Sequence, residues 1–130
     1  MKKILNLTGK LAVLMLMLSL TGCYYDEVIE IAPLPPGTEV SFADDIQPIF
    51  NQNCIACHGG SIEPDLREGS AFASLMGLPE GSIVPGDADG SELVEMLNGG
   101  GDNPMPPSGP IPAAQINLIK SWIDNGALNN

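Results

Sequence analysis

Apolar positions return at helical spacing in four stretches between Val40 and Ala127. Ile46, Ile49 and Phe50 stand at i, i+3 and i+4, which puts them on one face of a helix entered through Ser41 as N-cap. Pro48 falls inside that stretch and has no backbone N–H, so the helix either starts just before it or has an irregular first turn. The pattern predicts a short second helix from Ser70 to Met76 carrying Phe72 and Leu75, broken by the Gly-Leu-Pro-Glu-Gly run at 77–81. Asp87 or Asp89 is read as the cap of a third helix that buries Leu93, Val94, Met96 and Leu97 and ends at Asn98-Gly99. The last helix runs from Pro112 to Asn125, with Ile116, Ile119, Trp122 and Ile123 on one face and Gly126 as terminator. Trp122 is expected to pack against Ile46 or Phe50. No repeat and no second domain interrupts this order.

Before the helical stretches the pattern is of another kind. Lys2 and Lys3, with Lys10 further on, precede an apolar run from Leu11 to Leu20 that is too short to span a bilayer as a mature helix, which reads as an export signal over residues 1–22. Leu20-Thr21-Gly22-Cys23 resembles the lipobox of bacterial lipoproteins, which implies a lipidated Cys23 as the mature N-terminus. Residues 23–39 are acidic and then proline-rich, with Pro33, Pro35, Pro36 and Gly37 close together. They form a tether able to reach on the order of 55 Å in extended geometry. The folded domain occupies 40–130 and is held outside the cytoplasm, on a bacterial cell membrane, by the lipid.

Removal of the signal leaves Arg67 and Lys120 as the only fixed cations against 16 acidic residues. Such a chain repels nucleic acid and any anionic membrane surface, so a covalent lipid is the sensible means of retention. The acidic excess also suits a redox protein partner with a basic docking face.

One stretch then names a chemistry. Cys54-Ile55-Ala56-Cys57-His58 is the C-x-x-C-H pattern by which a haem c is attached: two thiols form thioethers with the two vinyl groups, and the imidazole that follows faces the iron. A redox dithiol would open a helix within a βαβ unit, which this chain lacks. A structural zinc site needs four ligands, whereas the chain has three cysteines and one histidine, with Cys23 already claimed. Gly59-Gly60 then allows a tight turn. A carbonyl near Pro64 is a candidate acceptor for the His58 Nδ1–H, and Arg67 is read either as the partner of a haem propionate or as a surface arginine.

Because His58 is the only histidine, two histidines of one chain cannot ligate the iron. Methionine, Lys120, or an open or water-filled sixth position remain. Met76 and Met96 stand at helical spacings that suit core packing. Met105, in the glycine- and proline-rich loop at 99–110, is the better ligand, since such a loop is restricted even when unfolded and presents a thioether rigidly. His/Met ligation raises the reduction potential and leaves no vacant position for a substrate.

An N-terminal helix into Cys54-x-x-Cys57-His58, intervening short helices, Met105-Pro106-Pro107 and a terminal helix with Trp122-Ile123-Asp124-Asn125-Gly126-Ala127 resemble a class I cytochrome c domain of an exported bacterial lipoprotein, over residues 40–127. The resemblance implies an all-α, small cytochrome c fold of three to five helices around one covalent haem c. It implies thioethers at Cys54 and Cys57 and axial ligands at His58 and Met105. The chain lacks the lysine-rich face of the mitochondrial members, so their partners do not carry over. The expected function is that of a membrane-tethered one-electron carrier, not an enzyme. The alternatives are a haem enzyme or gas or redox sensor with an open sixth position, and a haem-stabilised subunit of a larger envelope redox complex.

Overall fold

The computed structural model of the chain describes Pro35 and residues 38–130. The export signal, Cys23 and most of the tether predicted at 23–39 lie outside the described residues. All described residues belong to the unit Ile31–Asn130. They form a π-helical segment, Phe42–Ile46, followed by α1 (Gln47–Asn53), α2 (Ala71–Met76), α3 (Glu92–Leu97) and α4 (Ala113–Asp124), with no strand among them. The described domain is therefore all-α, within the expected three to five helices. No described helix is long and apolar enough to cross a membrane.

The irregular first turn anticipated from Pro48 is real and has a π geometry. Ser41 Oγ accepts from the Asp44 N–H at 3.2 Å, Asp45 Oδ2 accepts from the Ser41 N–H at 2.9 Å, and the Gln47 N–H reaches back to the Phe42 carbonyl. Pro48 then occupies the first turn of α1, where a missing N–H removes no helical bond. Asn130 completes the cap: its main-chain oxygen accepts from Ala43 N–H and Ser41 Oγ, and its side-chain oxygen accepts from Phe42 N–H, at 2.9–3.0 Å.

α4 packs on the π-helical segment and on α3. Its predicted inner face is the observed one: Ile116, Ile119, Trp122 and Ile123 are all buried. Each such side chain contributes roughly 1.5–3 kcal/mol before the entropy of ordering it is subtracted. Trp122 sits in a ring cluster, its centroid 5.3 Å from Phe42 and 6.5 Å from Phe72. Phe42 is its ring partner in the π-helical segment, and Ile46 and Phe50 belong to the same buried cluster as Trp122.

Two expectations need correction. Met76 is 40 % exposed, not core. α2 begins at Ala71, so Ala71 and Leu75 take its inner face, and Met76 at the last helical position turns outward to line a groove of about 460 Å³ with Leu78, Ile83 and Val84. Neither Asp87 nor Asp89 caps α3. Ser91 is the N-cap residue, while Asp87 Oδ1 accepts from the Gly90 N–H and closes the preceding turn. Within α3 only Val94 and Leu97 are buried; Leu93 and Met96 are half-buried.

Candidate functional site

α1 does not end where its regular hydrogen bonding stops. The Cys54 N–H donates to the Phe50 carbonyl at 2.9 Å, and the N–H groups of Cys57 and His58 both reach the Cys54 carbonyl, at 3.1 and 2.9 Å. The five-residue motif is one helical turn appended to α1. Positions i, i+3 and i+4 of such a turn share a face, so Cys54, Cys57 and His58 are carried side by side. Gly59 and Gly60 follow for steric reasons. A Cβ at 59 would lie 2.7 Å from the Ile55 carbonyl oxygen, and Gly60 has φ +93° with the Arg67 guanidinium laid against it.

The two thiols are free, Cys54 half-buried and Cys57 exposed. Burial pushes the Cys54 thiol up to about 11. At neutral pH Cys54 is therefore a protonated thiol. Among the described residues no three or more His, Cys, Asp or Glu side chains converge so that they could hold a metal ion between them. The His58 Nδ1 atom is buried and has no hydrogen-bond partner among the described residues. The carbonyl near Pro64, expected as its acceptor, does not reach it. The loop instead holds the main chain of the histidine: the Leu66 N–H donates to the His58 carbonyl at 2.8 Å. Two unjoined thiols and an imidazole carried on one turn fit the two thioethers and one axial bond of a haem c.

Arg67 lies beside this turn but is not idle. Its Nε and Nη2 donate to Asp65 Oδ1 and Oδ2 at 3.0 and 2.7 Å, a fork-to-fork pair. The guanidinium hydrogen bond holds the Asp65 carboxyl down at about 2 and raises Arg67 in turn. The sign for stability follows. An Asp pKa below its ordinary 3.8 contributes stability above pH ~4 that is lost as pH falls towards 2. Asp65→Asn should therefore lower the melting temperature modestly at pH 7, with the gap to wild type closing between pH ~4 and ~2; thermal melts across that range check it.

Met105 is carried by a different segment. It is half-buried, and its N–H donates to the Met96 carbonyl at 3.0 Å, so the loop is anchored to the last turn of α3. It shares no hydrogen bond with the His58 turn. Sequence reasoning missed Gln47, which is buried on α1 with its Nε2 donating to the Leu66 carbonyl and to Asn51 Oδ1, both at 2.9 Å. A polar residue three before Phe50 and seven before Cys54, in line with an apolar helix face, was the available signal. Asn53 and Gln115 were missed as well: Asn53 Nδ2 donates to Gln115 Oε1 at 3.0 Å, tying the end of α1 to the start of α4.

Residues 42–123 match the family model described as cytochrome C oxidase, cbb3-type, subunit III. The matched span opens on the π-helical segment, contains the Cys54–His58 turn and the Met105 loop, and closes inside α4. No curated protein and no solved structure matches the chain. With more than half of its length covered by that match and an all-α fold built around a C-x-x-C-H turn, the chain belongs to the cbb3-type subunit III family of cytochrome c domains, which bind haem c covalently and serve haem-based electron transfer.

Proposed function

We propose that this chain is a mono-haem carrier in which Cys54 and Cys57 hold the haem, His58 and Met105 are the axial ligands, and one electron is taken up and released without bond making at the iron. Haem supplies a ferric/ferrous couple when bound; the protein sets its potential and shields it. The single observation that carries this is the one helical turn that Cys54, Cys57 and His58 share. The main-chain hydrogen bonds at both ends of that turn fix its backbone relative to α1. The Met96 anchor and the prolines on either side of Met105 supply a rigid second segment from which a thioether can be presented. Arg67 uses part of its fork on Asp65; a guanidinium has five N–H donors, so the pair orients the remaining ones for a propionate instead of consuming them.

The same proposal includes the address. Residues 1–22 are an export signal, Cys23 is lipidated, residues 23–39 are the tether and 40–130 the domain, which works on the extracytoplasmic side of a bacterial membrane. Its acidic excess favours a redox partner with a basic docking face. A second reading, a haem-stabilised subunit of a larger envelope redox complex, is favoured by the description of the matching family, which is that of an oxidase subunit. Co-purification of the tethered chain with a stoichiometric membrane oxidase would favour that reading over a free carrier.

The test is an optical spectrum of the haem-loaded domain, oxidised and reduced, with Met105→Ala beside it. The carrier reading expects a weak band near ~695 nm in the oxidised wild type, absent from the variant, and a lower midpoint potential in the variant. A high-spin wild type that binds carbon monoxide readily would instead mean an open sixth position, as in an enzyme or a gas sensor.

A further inference from the structure

We propose that Gln47 is the positioning residue of the haem turn: a buried carboxamide on α1 that fixes His58 through Leu66 and so tunes the axial imidazole. The inference rests on the reading of His58 as an iron ligand. Gln47 is 5 % exposed, in a helix whose other buried positions, Ile49 and Phe50, are apolar. Burying a carboxamide is unfavourable unless its donors are used, and here both are: one N–H goes to the Leu66 carbonyl, the other to Asn51 Oδ1. The same Leu66 residue turns its own N–H to the His58 carbonyl. Leu66 is therefore held on both sides, by α1 through its carbonyl and by the haem turn through its amide.

These bonds close a ring. The chain runs covalently from Gln47 along α1 to Cys54 and His58, and returns from His58 through two hydrogen bonds and Leu66 to Gln47. On its other flank the loop is tied to α2, where the Asp65 N–H donates to Ser74 Oγ at 2.8 Å. The Gln47 contact ties it to α1 as well. The Gln47 amide donates to Leu66 and Asn51 and not to the thiols or the imidazole, so it acts through Leu66.

The experiment compares the haem-loaded wild type with Gln47→Met and with Ile119→Val. Methionine keeps the length and helix preference of glutamine and lacks its donors; Ile119 is fully buried on α4 and takes no part in the ring. The readouts are the midpoint potential, the iron-shifted ring-proton resonances of His58, and amide exchange at Leu66. The clamp expects Gln47→Met to shift the potential and the His58 resonances and to speed Leu66 exchange about tenfold or more, with Gly126 exchange unchanged. Ile119→Val should leave the His58 resonances in place. Should Gln47→Met fail to take up haem, the wild type still decides: Leu66 N–H and the Gln47 side-chain amide must be among its slowest-exchanging hydrogens. Fast exchange there, or equal shifts in both variants, overturns the clamp. A His58 without any iron-induced shift in wild type overturns the ligand reading itself, whereas a shifted His58 indifferent to Gln47→Met overturns the clamp alone.

Discussion

Cys54→Ser combined with Cys57→Ser is expected to abolish covalent haem and to leave the exported domain largely unfolded. The reasoning starts from size. Three of the four α-helices have six or seven residues, well below the length at which an isolated helix holds in water. The large aromatic side chains available to the described core are Phe42, Phe50, Phe72 and Trp122. A domain of this size buries too little apolar surface to offset chain entropy by a wide margin. The haem supplies the missing apolar bulk, and the two thioethers proposed at Cys54 and Cys57 would keep it there. Serine keeps the size of each position and removes only the bond-forming sulfur, so the variant isolates attachment. It should show no haem after denaturing electrophoresis and a far-UV circular dichroism signal reduced by more than half. A near-native spectrum from the haem-free variant would mean that the helices stand without the cofactor.

How far the sequence foretold this arrangement depended on what kind of order each part has. α4 was legible because twelve residues give the helical period time to declare itself, and every predicted inner position is buried. The Cys54–His58 turn was legible because its chemistry is local: five consecutive residues carry it, and the bonds from Cys57 and His58 to Cys54 span at most four positions. Met76 was misread because α2 makes under two turns, so one residue at its end can face either way. The cap of α3 was misassigned because Asp87, Asp89 and Ser91 are all good caps, and the choice was made by Ser91 accepting the Val84 N–H while donating to the Asp87 carbonyl. What Gln47 and Asn130 bond to was hidden for a different reason. Their partners, Leu66 and Ser41 to Ala43, lie 19 residues or more away, and no periodicity encodes a contact of that kind.

Trp122→Ala should be the most destabilising single truncation of the core, at about 3–5 kcal/mol. Trp122 is fully buried, and its ring meets Phe42 and Phe72 while Phe42 in turn meets Phe50, 6.2 Å away on α1. Removing it leaves a cavity between α4, the π-helical segment and α2 that rigid neighbours cannot close. It also deletes the Nε1–H bond to the Leu128 carbonyl, 2.8 Å long, which fixes the chain leading to the Asn130 cap. For a domain of this size each kcal/mol is worth about 4–8 °C, so the melting temperature should fall by roughly 12 °C or more. Trp122→Phe separates the two contributions: it retains much of the ring volume and loses the hydrogen bond, and should cost about 1 kcal/mol for the bond plus a smaller packing loss. The consequence reaches the site, because the π-helical segment continues into α1 and α1 ends in the Cys54–His58 turn. In the haem-loaded Trp122→Ala protein the ~695 nm band expected of Met105 ligation should therefore fade on heating well below the temperature at which wild type loses it. A variant that melts within a few degrees of wild type would show that this ring cluster does not hold α4 against the haem helix.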